Sequence, residues 1–183
     1  MNCWKTINLS KDYGFHRLFF LSFLTSILAF IFLFLVWNMI FESKQLEDSG
    51  LMYVVMIAIL LIPGHQLIHL TSLWLFRKKV KLTVKKKGLF PYLTVKYCEL
   101  LSKPVAVITV LAPLFTVSLI LLSLSLLFPQ YIHYFTILAA INFGICVSDI
   151  MYSYHFMKAP RKCFLEENKG GYDILVMTTE KVS

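Results

Sequence analysis

Two histidines spaced four residues apart are the first sign of chemistry in this sequence. His65 and His69 stand within a long apolar run, and a helix there would place both imidazoles on one face, one turn apart. From such positions two ring nitrogens can converge on one metal ion. Interhelical hydrogen bonding is the other interpretation, but ionisable side chains are costly inside a membrane and usually serve a function there. The spacing therefore predicts a metal site.

A third metal ligand must come from elsewhere, because a catalytic zinc ion usually takes three protein ligands and leaves one position for water. Asp149 is the only Asp or Glu inside any long apolar run. It lies nine residues before the charged boundary at Lys158, and His69 lies eight residues before the boundary at Arg77. At 1.5 Å per residue, both would lie roughly 12 to 14 Å below one membrane surface. The two side chains can therefore meet at one level.

Four apolar runs are long enough to carry these residues across the roughly 30 Å of a bilayer's hydrocarbon. They cover about residues 17–41, 52–76, 104–128 and 132–157 of a 183-residue chain that is 58% hydrophobic and 15% charged. Each run must be helical, because lipid cannot satisfy exposed backbone groups. The expected fold is an all-α integral membrane protein, a four-helix bundle over residues 1–160 with a cytoplasmic tail at residues 161–183.

The basic residues predict the orientation of these spans. All Lys and Arg residues except Lys44 lie before or at the start of the first span, between the second and third, or after the fourth. The positive-inside rule then places both termini and the middle loop in the cytoplasm of a multi-pass cell-membrane protein. The net charge of +8 is thereby explained by topology and lipid headgroups, so no nucleic-acid partner is expected.

The middle loop, at about residues 79–98, has a pattern of its own. Apolar and polar residues alternate over residues 79–85 and again over 93–97, on either side of Gly88. This pattern predicts a short cytoplasmic β-hairpin, and the alternative is a basic loop that lies on lipid without fixed strands. In the tail, residues 169–171 are expected to form a turn, and residues 172–177 a short strand.

The cysteines, by contrast, predict no site. Cys3, Cys98, Cys146 and Cys163 show neither a C-x-x-C pair nor the spacing of a disulfide framework. They are therefore interpreted as ordinary free thiols.

The pattern from about residue 60 to 177 resembles the small bacterial zincin-type membrane peptidases. That group looks like a reduced relative of the site-2 intramembrane metalloproteases. The features that carry the resemblance are the H-x-x-x-H pair, the hairpin loop, Ala112-Pro113, Asn142 and Ser148-Asp149. The resemblance implies that His65, His69 and Asp149 hold a Zn²⁺ ion and that the chain is a metallopeptidase.

One position departs from that family's pattern. The resemblance implies a glutamate after the first histidine, acting as a general base toward the attacking water, whereas this chain has Gln66. A glutamine amide has nearly the same shape but cannot accept the proton, so peptide hydrolysis should be severely reduced. The chain is then either an engineered inactive form or a natural pseudoenzyme. Engineering is favoured, because nothing else in the site departs from the pattern.

The remaining predictions concern the role of Asn142 and the class of substrate. Asn142 stands two turns before Asp149, where its amide could contact a substrate backbone or a developing oxyanion; a helix-packing hydrogen bond is the alternative. The expected substrates are membrane-anchored proteins or peptides, cleaved near the cytoplasmic side. The competing hypothesis is a non-catalytic, metal-binding membrane scaffold that captures a membrane partner.

Overall fold

Three long helices dominate the fold. The computed structural model describes residues 2–40, 46–47, 49–78, 80–87, 90–97, 99–161, 163–168 and 171–176. After a strand β1 (Asn2–Ile7) and a short helix α1 (Leu9–Asp12), the long helices are α2 (Phe15–Ile40), α3 (Leu51–Leu75) and α4 (Lys103–Leu127). Their bounds fall within two residues of the predicted spans, apart from Phe41, which lies outside the described residues.

These three helices are long and apolar enough to cross a membrane. Their most apolar 18-residue stretches have mean hydropathies of 2.7, 2.1 and 2.6, and none of that stretch in α2 is buried. Phe19 and Phe32 of α2, for example, are 64% and 67% exposed. So large an apolar surface is unfavourable in water and favourable in lipid. The helices are compatible with a multi-pass membrane protein.

The fourth predicted span is a bent pair of helices rather than one. A 3₁₀ turn at Pro129–Tyr131 leads into α5 (Ile132–Ile145), and α6 (Val147–Lys158) follows at an angle of 45°. The prediction of a single helix over residues 132–157 was therefore wrong. Gly144, Ser148 and Asp149 flank the break, and glycine and short polar side chains weaken a continuous helix. Hydropathy could not show the bend, because the apolar run continues through it. Taken together, the two helices make up a fourth candidate span.

An antiparallel sheet at the chain ends also corrects the all-α expectation. Its strand order is β1-β6-β5-β4, with β4 at Leu101–Ser102, β5 at Cys163–Asn168 and β6 at Gly171–Val176. Of this sheet the sequence predicted only a strand at residues 172–177, whose last residue lies outside the described residues, as do residues 169–170 of the predicted turn. The other strands are too short for their alternation to stand out.

The segment between α3 and α4 forms a separate two-stranded sheet. Strands β2 (Val80–Lys87) and β3 (Phe90–Tyr97) pair antiparallel, with Val80 opposite Tyr97 and Lys87 opposite Phe90. They occupy the position of the predicted hairpin, whose tip at residues 88–89 lies outside the described residues.

Contacts between Cα atoms divide the chain into two units. The first comprises Met1–Phe15, Gln66–Leu111 and Asp149–Ser183, and the second His16–His65 and Ala112–Ser148. Within the first unit, the Nζ atom of Lys103 donates to the carbonyl oxygens of Met157 (2.9 Å) and Ala159 (2.6 Å) at the end of α6. A cation there also interacts favourably with the helix dipole. The lysine therefore fixes the end of α6. The predicted division into membrane domain and tail stays a prediction.

The second unit is centred on α5, in which eight of 14 residues are buried. Gly144 lies so close to α2 that an added Cβ would overlap Ser26 Oγ and approach the Ser22 carbonyl oxygen to 2.8 Å. The glycine is thus required for this close helix contact.

Candidate metal centre

The two histidines of α3 lie on its one buried stripe. Within this helix, burial is confined to His65, His69 and Leu73, which recur every four residues and so share one face. His65 is 3% exposed and His69 6%, whereas Leu67, between them, is 48% exposed. The helix therefore turns both imidazoles toward protein, whereas its residues outside this stripe are half-buried or exposed. This is the arrangement that the cost of polar groups in lipid favours.

A backbone hydrogen bond orients His69. Its Nδ1 atom lies 2.9 Å from the carbonyl oxygen of Thr109, within the first unit. A carbonyl oxygen can only accept, so Nδ1 carries a proton, and Nε2 is the ring nitrogen that could bind a metal ion. In metal-binding histidines, the ring nitrogen that does not bind the metal usually donates its N–H hydrogen bond to a carbonyl or carboxylate in this way. The structure therefore presents Nε2 as a ligand atom.

Asp149 faces that ligand atom. Its Oδ2 atom lies 3.5 Å from His69 Nε2, and its side chain is 14% exposed. The carboxylate belongs to the first turn of α6, where the helix dipole favours negative charge. The structure thus brings together two residues that the sequence analysis had matched only by depth.

Cys146 contacts the other histidine, within the second unit. Its Sγ atom lies 3.9 Å from His65 Nδ1, and the residue is fully buried at the break between α5 and α6. Cys146 was not predicted as a site residue, because its sequence spacing matches neither a C-x-x-C pair nor a disulfide framework. The available signal was its position three residues before Asp149, about one helical turn. Cys3 and Cys163 are also free thiols, and Cys98 lies outside the described residues.

The distances in both pairs fit the donors of a zinc site. Two ligand atoms on one tetrahedral zinc ion are about 3.4 Å apart for nitrogen and oxygen, and about 3.6 Å apart for nitrogen and sulfur. The observed separations are 3.5 Å for His69 and Asp149, and 3.9 Å for His65 and Cys146. The chain links the pairs, since the histidines are one turn apart on α3.

Gln66 directly follows the first histidine and is half-buried. Its neutral amide can donate and accept hydrogen bonds but cannot take a proton from water. The described site therefore has no base at the position where the family resemblance implies one.

Asn142 is completely buried and bonded to its neighbours. Its Nδ2 atom donates to Ser118 Oγ at 3.1 Å, and its Oδ1 atom lies 3.9 Å from Cys146 Sγ. The Ser118 contact is a hydrogen bond between α5 and α4, of the helix-packing type weighed above. A substrate or oxyanion role for Asn142 stays a prediction.

A family comparison covers the segment that contains these residues. The profile of the family described as Putative zincin peptidase matches residues 58–164, which include both histidines, Gln66, Cys146 and Asp149. No curated protein and no solved structure is significantly similar to the chain. The matched segment is more than half of the 183 residues, and family membership implies a metallopeptidase that uses zinc. The chain belongs to the Putative zincin peptidase family.

Proposed function

We propose that this chain has the architecture of an intramembrane zinc metallopeptidase of the site-2-protease type, with His65, His69 and Asp149 as zinc ligands. The observation that carries the proposal is the orientation of His69. The Nδ1–H group of His69 donates to the Thr109 carbonyl oxygen, and Nε2 lies 3.5 Å from the Asp149 Oδ2 atom. The position of His65 one turn earlier on the same buried stripe adds the third ligand.

The residues of the site have separable tasks. A zinc ion held there would supply Lewis-acid chemistry, polarising a peptide carbonyl and acidifying a water molecule. The Thr109 carbonyl fixes the ring of His69, and Asp149 contributes negative charge. Gln66, at the position of the base, can orient a water molecule through its amide but cannot remove its proton. We therefore expect little or no hydrolysis by the chain with Gln66, whether that residue is engineered or natural.

The proposed substrates are membrane-anchored proteins or peptides cleaved near the cytoplasmic side of the cell membrane. A transmembrane helix keeps its backbone in internal hydrogen bonds, so the scissile segment must unwind first. The two-stranded sheet of β2 and β3 has free edges among the described strands, and an edge can take an extended peptide as an added strand. The distribution of Lys and Arg supports a cytoplasmic location for this sheet and for both termini.

Zinc analysis tests the metal site. Zinc per chain is measured in the purified full chain and in His65→Ala, His69→Ala and Asp149→Asn, with His16→Ala as the matched control. We expect zinc in the parent and the control and strongly reduced zinc in the three site variants. A parent chain without zinc would refute the site.

Restoring the carboxylate tests catalysis. Gln66→Glu is compared with the parent and with Gln66→Leu on a panel of single-span substrates in proteoliposomes. Cleavage by Gln66→Glu alone supports the peptidase mechanism, because only that variant has a proton acceptor beside His65.

A non-catalytic scaffold is the second candidate, and Gln66 is the observation that favours it. In that case zinc is structural, and the bundle captures a membrane partner without cleaving it. Zinc in the parent combined with inactivity of Gln66→Glu across the substrate panel would favour the scaffold.

A further inference from the structure

Cys146 is a buried thiol in an unusual place. It lies at the break between α5 and α6 with no exposed surface, and its sulfur is 3.9 Å from His65 Nδ1. A buried cysteine ordinarily packs as a small apolar residue. Here, however, the sulfur lies against a histidine that is itself a proposed zinc ligand.

We propose that Cys146 is a fourth protein ligand of the zinc ion, joining His65, His69 and Asp149. This inference rests on the proposed zinc site. Thiolate sulfur is among the preferred zinc ligands. The separation of Cys146 Sγ from His65 Nδ1 is within a few tenths of an ångström of the about 3.6 Å expected for sulfur and nitrogen on one tetrahedral zinc ion.

Charge balance gives an independent reason. A buried divalent cation is most stable where nearby anions cancel its charge, because a net charge is costly away from water. In a chain with glutamate after His65, that glutamate and Asp149 would supply two negative charges. Gln66 supplies none, so a Cys146 thiolate restores neutrality beside Asp149. The thiol proton leaves to solvent when the metal binds.

The consequence is a closed site. Zinc with four protein ligands is typical of structural sites, whereas a catalytic site keeps one position for water. The missing base at Gln66 and the fourth ligand at Cys146 thus lead to the same outcome. As long as Cys146 stays bound, the chain with Gln66 would hold zinc firmly without presenting a water molecule to a substrate.

Spectroscopy of the metal-loaded full chain tests the inference without relying on activity. X-ray absorption at the zinc edge should show one sulfur at about 2.3 Å together with nitrogen and oxygen neighbours. Loading with Co²⁺ should give the near-ultraviolet sulfur-to-cobalt charge-transfer band of a thiolate ligand. Cys146→Ser should lose both signals and bind zinc at least about tenfold more weakly.

Cys163→Ser is the matched control, because Cys163 is likewise buried and outside any disulfide but lies in strand β5. It should keep the sulfur signal, and so should a chain whose only cysteine is Cys146. Cys146→Ala serves as a second variant, and circular dichroism checks that both position-146 variants keep their helices.

The possible outcomes distinguish the proposed role of Cys146 from the proposed three-ligand zinc site. Bound zinc with only nitrogen and oxygen neighbours overturns the role of Cys146 and leaves the proposed three-ligand site standing. A sulfur signal that persists in Cys146→Ser also overturns that role. A parent chain that binds no zinc overturns the proposed function and this inference together.

Discussion

The Nδ1–H group of His69 donates to the carbonyl oxygen of Thr109, 2.9 Å away, and the other ring nitrogen, Nε2, faces Asp149. A main-chain group therefore orients the histidine, and substitution of the Thr109 side chain leaves that group in place. Such carbonyl-to-histidine bonds fix the tautomer and the ring plane of metal-binding histidines.

Asp149→Asn should weaken zinc binding at least about tenfold, because the amide keeps the shape of the carboxylate but loses its charge and ligand strength. Competition with a chromophoric chelator in detergent measures the affinity. Asp173→Asn in β6 is the control, since that carboxylate accepts from Asn168 Nδ2 within the sheet. Equal affinities for the two variants would exclude Asp149 from the site.

Thr109→Val should leave the melting temperature unchanged or raise it. Thr109 is 1% exposed, and its Oγ1 has no hydrogen-bond partner in the part of the chain that the structure describes. Replacing an unsatisfied buried hydroxyl with a methyl group of similar size removes a desolvation cost. Zinc content should not change, since the carbonyl that His69 uses remains.

Thr136→Val is the matched comparison for that experiment. Thr136 is equally buried, but its hydroxyl donates to the His133 carbonyl oxygen at 2.9 Å. Loss of this bond should cost about 1 kcal/mol. The expectation fails if Thr109→Val melts lower than Thr136→Val.

Gly144→Ala should destabilise the bundle, because the new methyl group would overlap Ser26 and the Ser22 backbone of α2. Overpacking of this kind costs about 1 to 3 kcal/mol. Gly64→Ala is the control within a helix, since an added Cβ there meets nothing within 4 Å. Alanine should stabilise that position by up to about 1 kcal/mol through helix propensity. Thermal melts that rank the two variants in the opposite order would contradict the described contact between α5 and α2.

Alkylation of Cys163 should be slow at neutral pH. Burial raises the pKa of the Cys163 thiol, and the positive charge of Lys103 only partly offsets this effect. A higher pKa leaves less of the reactive thiolate at pH about 7, and the rate should increase as the solution becomes more alkaline. Maleimide labelling of single-cysteine variants measures the rates, with the exposed Cys3 as comparison. Equal rates for the two thiols at neutral pH would contradict the described burial.

The long helices, and the proximity of His69 to Asp149, could be predicted from the sequence because both follow from the length of the apolar runs and the helical rise per residue. Apolar runs fix where α2, α3 and α4 lie, and the rise per residue fixes how deep a side chain is. The bend at Cys146 was missed because hydropathy does not register a local backbone change. The role of the Thr109 carbonyl was missed for another reason: every residue has a carbonyl, so its partner is decided by tertiary packing alone.

The four-stranded sheet restricts how many times the chain can cross a membrane between its strands. Strands cannot pair across a bilayer, so every strand of one sheet lies on the same side. This sheet takes β1 from before α2, β4 from between α3 and α4, and β5 and β6 from after α6. If α2 and α3 each cross the membrane, β1 and β4 lie on the same side of it. If α4 crosses as well, the bent pair α5 and α6 must return the chain to that side, because β5 pairs with β4. Backbone pairing is thus consistent with the proposed topology of four crossings, and this consistency does not depend on charge.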